Sequence, residues 1–169
     1  EIEKTRNRLP HWQQDGKTFF VTFRLNDSIP VDVLNSWREE KQQWLADHPQ
    51  PWSAETEAEY HRVFSATMDR YLDQGFGSCL LAKAWHGETT SSAFQHYDGS
   101  RYVMHSFVVM PNHVHLLLSL MDDHPMAKIV ADWKRFTART INQAEGVSGG
   151  IWMEDYFDRL IRDWDHFIN

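Results

Sequence analysis

The segment RYVMHSFVVMPNHVHLLLSL, residues 101–120, decides the architecture. It holds two apolar runs, 101–110 and 113–120, separated only by Pro111-Asn112. Proline presets its own φ and asparagine tolerates turn conformations, so the runs read as two strands joined by a hairpin or a tight corner. Side chains alternate across a strand. In the second run Val114, Leu116, Leu118 and Leu120 therefore share one face, expected to be buried, while His113 and His115 project together from the other.

Working outward, residues 18–25 (TFFVTFRL) place Phe19, Val21, Phe23 and Leu25 on one side and read as another strand. Residues 27–30 break it. Residues 31–47 form a moderately amphipathic helix with Leu34, Trp37, Trp44 and Leu45 on its apolar side, and 48–52 form a proline-rich loop. A second helix follows, with Tyr60, Val63, Phe64, Thr67, Met68, Tyr71 and Leu72 at helical spacing, ended by Gly75 and Gly77. Residues 78–86 read as a strand and 87–100 as a polar, turn-rich stretch. After the 101–120 pair, 122–125 look like a helix start. Residues 126–143 are a strong helix whose buried stripe is Met126, Ile129, Val130, Trp133, Thr137 and Ile141. Residues 151–161 read as a short strand plus connection, and Asp163 starts a final helix. There is no internal repeat. This mixed order predicts an α+β, two-layer sandwich with a mainly antiparallel sheet, a single domain over 1–169 carrying a helical insertion at 31–75.

Composition fits that picture. The chain has 169 residues, 41% of them hydrophobic, and eight tryptophans, enough for a folded core. Its longest apolar runs are too short to span a bilayer, and no export leader is recognisable. The lone Cys79 excludes an intramolecular disulfide and reads as a core residue, which fits a reducing cytoplasm. A start at Glu1 and an end at Asn169 inside a helix-like segment suggest a chain that continues beyond these limits. The net charge of −7 argues at first against nucleic acid, but it is unevenly spread. Residues 1–24 balance at +2, 25–75 at −6 and 76–169 at −3. The acidity is concentrated in the helical segment, which leaves the rest of the chain open to a phosphate ligand.

Two imidazoles two apart on a strand can chelate one divalent ion and leave coordination positions for a phosphate oxygen and water. The same spacing also suits two surface histidines at a strand start. Its place directly after a turn and ahead of alternating apolar residues points to the metal site. On the 126–143 helix, Lys128, Arg135, Arg139 and Asn142, with Lys134 nearby, form a row that either tracks a phosphate backbone or is a solvated helix face. Arg6, Arg8, His11 and Trp12 mix cations with a surface for stacking on an unpaired base, or form an ordinary N-terminal arm. Trp133 and Trp152 read as core. Tyr156 is either a nucleophile whose phenolate is stabilised by Arg159 and Arg162, which are also expected to contact DNA, or a buried, hydrogen-bonded tyrosine.

Taken together, Leu9-Pro-His-Trp12, residues 18–24, Val109-Met-Pro-Asn-His-Val-His-Leu-Leu-Leu118, Trp133-Lys-Arg-Phe-Thr-Ala-Arg-Thr-Ile-Asn142, Ile151-Trp152 and Tyr156-Phe-Asp-Arg-Leu-Ile-Arg-Asp163 resemble the REP-associated tyrosine transposases, single-tyrosine members of the HUH transposase superfamily. The resemblance runs in order along nearly the whole chain. It implies a ferredoxin-like sheet with helices on one face, and Mg²⁺ or Mn²⁺ held by His113 and His115. It also implies hairpin or single-stranded DNA from REP-like palindromes as partner, cut through a 5′-phosphotyrosine that leaves a free 3′-hydroxyl. The covalent link conserves the bond energy, so rejoining needs no ATP. A bacterial, nucleoid-associated protein of the cytoplasm, without membrane attachment and monomeric, is the corresponding expectation.

One departure matters. In the family the nucleophilic tyrosine lies in a Tyr-Ile-x-x-Asn-Pro-like motif after the Tyr-Phe-Asp-Arg-like segment, and a polar residue one turn later helps to hold the metal. This chain reaches Asp165-His-Phe-Ile-Asn169 without that motif. The resemblance thus implies that Tyr156 is not the nucleophile and that the chain by itself binds DNA without cutting it. Three rivals remain. A histidine-triad hydrolase would need a third histidine at position 117, which is Leu. The others are a non-catalytic hairpin-binding or single-stranded-DNA-binding protein and an α+β protein-interaction domain.

Overall fold

The computed structural model describes residues 3–6, 10–13, 17–121 and 124–161, the first two segments as backbone. These residues form β1 (Glu3–Arg6), β2 (Pro10–Gln13), β3 (Thr18–Arg24), α1 (Val31–Asp47), α2 (Ala54–Tyr60), α3 (Ala66–Leu72), α4 (Ala84–Gln95), β4 (Tyr102–Val109), β5 (His113–Leu120), α5 (Met126–Glu145) and β6 (Phe157–Ile161). A π-turn at His61–Ser65 joins α2 to α3, and a 3₁₀ turn at Leu80–Ala82 precedes α4. The chain divides into two compact units, one made of Glu1–Asn26 and Leu80–Asn169, the other of Asp27–Cys79. The helical segment read at 31–75 falls within the second.

In the first unit β3–β6 make an antiparallel sheet in the order β4-β5-β3-β6. With α4 between β3 and β4 and α5 between β5 and β6, this is the ferredoxin-like βαββαβ arrangement, and the fold is α+β. β1 and β2 pair in a separate two-stranded sheet. The alternation in β3 and β5 sets the layers. Phe19, Val21, Phe23 and Leu25, with Val114, Leu116, Leu118 and Leu120, are buried on one face. Onto that face pack Ala93 and Phe94 of α4 and the stripe Met126, Ile129, Val130, Trp133 and Ile141 of α5. Phe23 meets Phe94, Trp133 and Trp152 at ring-centroid distances of 6.0, 6.5 and 4.9 Å. Tyr102 ties the layers together: its hydroxyl donates to the Phe94 carbonyl at 2.9 Å and accepts from the Trp133 indole at 3.1 Å. Burying each such ring contributes roughly 1.5–3 kcal/mol. α5 ends at Gly146, whose φ of +67° suits the left-handed position that closes a helix.

Two expectations are corrected here. Residues 78–86 are not a strand, and 87–100 are not mainly turns: they contain the 3₁₀ turn and α4. The buried positions of α4 are His86, Thr90, Ala93 and Phe94, which lie at helical spacing, but the first two are polar and hydropathy therefore hides the period. His86 is at home there because Nδ1 bonds the Leu80 carbonyl at 2.8 Å and Nε2 bonds Glu145 at 2.9 Å. Cys79 is half-buried with φ of +47° and lies outside the main core. The apolar run around it made it look like an interior strand residue.

The second unit holds Tyr60, Phe64, Met68 and Leu72 at four-residue spacing across α2, the π-turn and α3. Trp37, Trp44 and Trp52 join Tyr60 and Phe64 in one aromatic cluster. The Lys41 ammonium is buried against it, 4.8 Å from the Trp37 ring and 5.5 Å from that of Tyr60. Burial, reinforced by Asp73, raises the Asp69 carboxyl to a pKa of about 6. Among the described residues no helix is long and apolar enough to cross a membrane.

Candidate functional site

Residues on the second face of the sheet follow from register. His113 lies across from Arg24, and His115 across from Thr22 on one side and Val108 on the other. Beyond β3, Phe157 pairs with Thr22 and Arg159 with Phe20. Side chains of paired residues share a face. His113, His115, Thr22, Arg24, Phe20, Phe157 and Arg159 thus stand opposite to α4 and α5.

The turn before His113 is pinned by backbone bonds. Leu81 N–H donates to the Pro111 carbonyl at 3.0 Å, Leu25 N–H to the Asn112 carbonyl at 2.9 Å, and Met110 N–H to the His113 carbonyl at 2.9 Å. Asn112 and His113 are fully buried. The Asn112 amide oxygen accepts from His113 Nδ1 at 2.8 Å, and Thr22 Oγ1 lies 2.7 Å from His115 Nδ1. Phe20 stacks on the His115 ring at 5.3 Å. Both rings are thereby held by Nδ1, and their Nε2 atoms converge at 3.0 Å.

That separation suits a shared cation. Two ligand atoms about 2.1 Å from one ion and at right angles to each other lie about 3.0 Å apart. The pair fits as two donors of a divalent site. Among the described residues no group of three or more His, Cys, Asp or Glu side chains is placed to hold a metal ion, so the protein ligands visible here are the two imidazoles. His105 does not add to them. It bonds Ser119 at 2.8 Å, and Ser119 lies four residues, about 13 Å, along β5 from His115.

The other candidates are dispersed. Tyr156 is buried in the core, on the α5 side, with the Lys134 ammonium 5.7 Å from its ring. Burial, with Asp158 and Asp155, pushes its hydroxyl well above the ordinary tyrosine range, which opposes phenolate formation. The sheet separates it from the histidine pair. Lys134 is engaged within the protein: its ammonium donates to the carbonyls of Met153, Glu154 and Asp155 at 2.9, 3.1 and 2.9 Å. Burial, the leading cause, lowers its pKa to about 8. The expected DNA contact is thus a clamp on the loop leading into β6. Lys128, Arg135 and Arg139 are exposed on α5, on the far side of the sheet from the pair, and Arg135 also bridges to Asp132. Asn142 donates to the Gly149 carbonyl. Trp133 and Trp152 are buried.

Among the described residues, Arg159 is the expected cation that shares the histidine face. Arg6, His11 and Trp12 lie on β1 and β2, whose side chains are outside the described residues, as are Arg8, Arg162 and the helix read from Asp163. Four neighbours of the pair were missed: Phe20, Thr22, Arg24 and Asn112. The even-numbered positions of β3 already marked a more polar face, but the residue opposite each was not readable without the register.

Residues 80–161 match the family model described as "Transposase IS200 like". None of the curated proteins matches the chain. Among solved structures, a REP-associated tyrosine transposase bound to a REP hairpin is similar at 13% identity with a TM-score of 0.42, covering 96% of this chain and 67% of that one. A protein from Deinococcus radiodurans R1 described as a transposase is similar at 12% identity with a TM-score of 0.36, covering 89% of this chain and 86% of that one. Residues 80–161, the segment that carries the histidine pair, are thus similar to the IS200-like transposases.

Proposed function

We propose that the protein is a single-stranded DNA strand transferase of the REP-associated tyrosine transposase type, acting on hairpin DNA of REP-like palindromes in the bacterial cytoplasm. The observation that carries this reading is the convergence of His113 Nε2 and His115 Nε2 at 3.0 Å on the sheet face opposite to α4 and α5. His113 and His115 would hold Mg²⁺ or Mn²⁺, which supplies Lewis-acid polarisation of a phosphodiester. The remaining work falls to the chain. Asn112 and Thr22 orient the two rings, the Phe20 ring screens one side of His115, and Arg159 adds positive charge to the same face. A tyrosine other than Tyr156 is the proposed nucleophile, because Tyr156 lies on the wrong face with a poorly ionisable hydroxyl. Its attack on phosphorus forms a 5′-phosphotyrosine and releases a 3′-hydroxyl, and the reverse attack rejoins the strand.

The test is a denaturing gel of end-labelled hairpin DNA incubated with Mg²⁺ and either this chain or a version carrying residues after Asn169. A covalent protein–DNA band from the longer version, lost in His113→Ala and kept in Tyr156→Phe, is the expected result. A band abolished by Tyr156→Phe would overturn the assignment. A second reading, a non-catalytic hairpin-binding or single-stranded-DNA-binding protein, is favoured by the exposed Lys128 and Arg139 on α5, a cationic row that does not need the histidine pair. Gel retardation without any covalent band would select it.

A further inference from the structure

We infer that Asn112 and Thr22 are positioning residues with different tasks: Asn112 locks the tautomer of His113, while Thr22 lets His115 change its own when a cation arrives. The inference rests on the reading of His113 and His115 as a cation-binding pair.

The argument starts from what each partner atom is able to do. An amide oxygen only accepts, so the 2.8 Å contact from Asn112 Oδ1 puts the His113 proton on Nδ1 and leaves a lone pair on Nε2. Asn112 is fully buried and its carbonyl is held by Leu25 N–H, so the side chain has little freedom to turn over. His113 therefore always offers Nε2 as an acceptor. The His115 Nε2 atom lies 3.0 Å from it. Two neutral rings at that separation need either a hydrogen or a cation between the facing nitrogens, because two lone pairs would repel.

Without a cation, His115 carries its proton on Nε2 and donates it to His113. Its Nδ1 then has a lone pair, and the atom 2.7 Å away must donate. With a cation on both Nε2 atoms, His115 carries its proton on Nδ1, and the same neighbour must accept. A hydroxyl is the one uncharged side-chain group that donates or accepts by rotation of a single hydrogen. Thr22 supplies it, from a strand position fixed by register with His115. The exchange moves one proton from Nε2 to Nδ1 of the same ring through solvent. Orienting partners of this kind commonly change metal affinity by about 10–100-fold when removed.

The experiment uses the chain labelled with [¹⁵N]histidine, in long-range ¹H–¹⁵N correlation spectra recorded first in EDTA and then in saturating Mg²⁺. The expected result is His113 in the Nδ1–H form in both, and His115 changing from Nε2–H to Nδ1–H. Thr22→Val should bind Mn²⁺ at least about tenfold more weakly, and Thr22→Ser should recover the loss. His115 already in the Nδ1–H form in EDTA would overturn the inference, as would no change on adding Mg²⁺ or wild-type Mn²⁺ affinity in Thr22→Val. If Thr22→Val does not fold, the wild-type and Thr22→Ser spectra decide alone. These readouts involve no DNA, so failure of strand cleavage would remove the proposed function and leave the tautomer result standing.

Discussion

Replacing Lys134 with methionine separates a structural lysine from a DNA contact. Methionine keeps the length and most of the volume of the side chain but cannot donate to the carbonyls of Met153, Glu154 and Asp155. A bond to a charged donor contributes roughly 1.5–3 kcal/mol, so three are substantial. Part of this is offset. The fall of the lysine pKa from 10.5 to about 8, with burial the leading cause, marks a net cost of roughly 3 kcal/mol for keeping the ammonium charged in the fold, at 1.36 kcal/mol per unit. Glu154 is exposed, so water can replace one of the lost donors. The net loss is set at about 1–4 kcal/mol, or a drop of several degrees in Tm.

The pH dependence has a definite sign. Between pH 8 and about 10 the unfolded chain retains a lysine proton that native Lys134 has released, so the wild type gains stability as pH rises through that window. The difference between wild type and Lys134→Met should therefore change by up to about 1.4 kcal/mol per pH unit there and be flat below pH 7. Thermal melts from pH 6 to 10, with gel retardation of hairpin DNA beside them, read both quantities. Unchanged stability combined with weakened retardation would refute the clamp and restore Lys134 as a DNA contact.

Other outcomes follow from the same physical reasoning. Tyr102→Phe removes the hydroxyl shared by the Phe94 carbonyl and the Trp133 indole, and should destabilise by about 1–3 kcal/mol in urea unfolding. Asp69→Asn should stabilise the chain at pH 7 by about 1–3 kcal/mol and make it less sensitive between pH 4 and 6. The native carboxyl holds its proton up to about pH 6 while the unfolded one loses it near 3.8, so wild-type stability falls as pH rises through that window. Tryptophan fluorescence melts at pH 4.5 and 7 check this, and equal effects at both would contradict the buried carboxyl.

The sequence revealed elements whose buried residues are also apolar. The alternation in β3 and β5 and the stripe of α5 each have a single period, and one face of each is buried as that period requires. α4 escaped because His86 and Thr90 occupy half of its buried positions, their polarity met by the Leu80 carbonyl, Glu145 and the helix's own backbone. The functional residues divide in the same way. His113 and His115 are two apart, and strand geometry alone puts them together. Thr22 is 93 residues from His115 in the chain, and only the β3–β5 register brings its hydroxyl to the ring. Lys134 looked like one of a row of cations on α5, because sequence spacing does not reveal that the 153–155 carbonyls return to meet it.

The most direct test of the central claim, that His113 and His115 form a divalent-cation site, is a Mn²⁺ titration of the chain followed by electron paramagnetic resonance. The account predicts one bound equivalent in the wild type, weakened at least about tenfold in both His113→Ala and His115→Ala. Mn²⁺ bound equally well by all three proteins would contradict it.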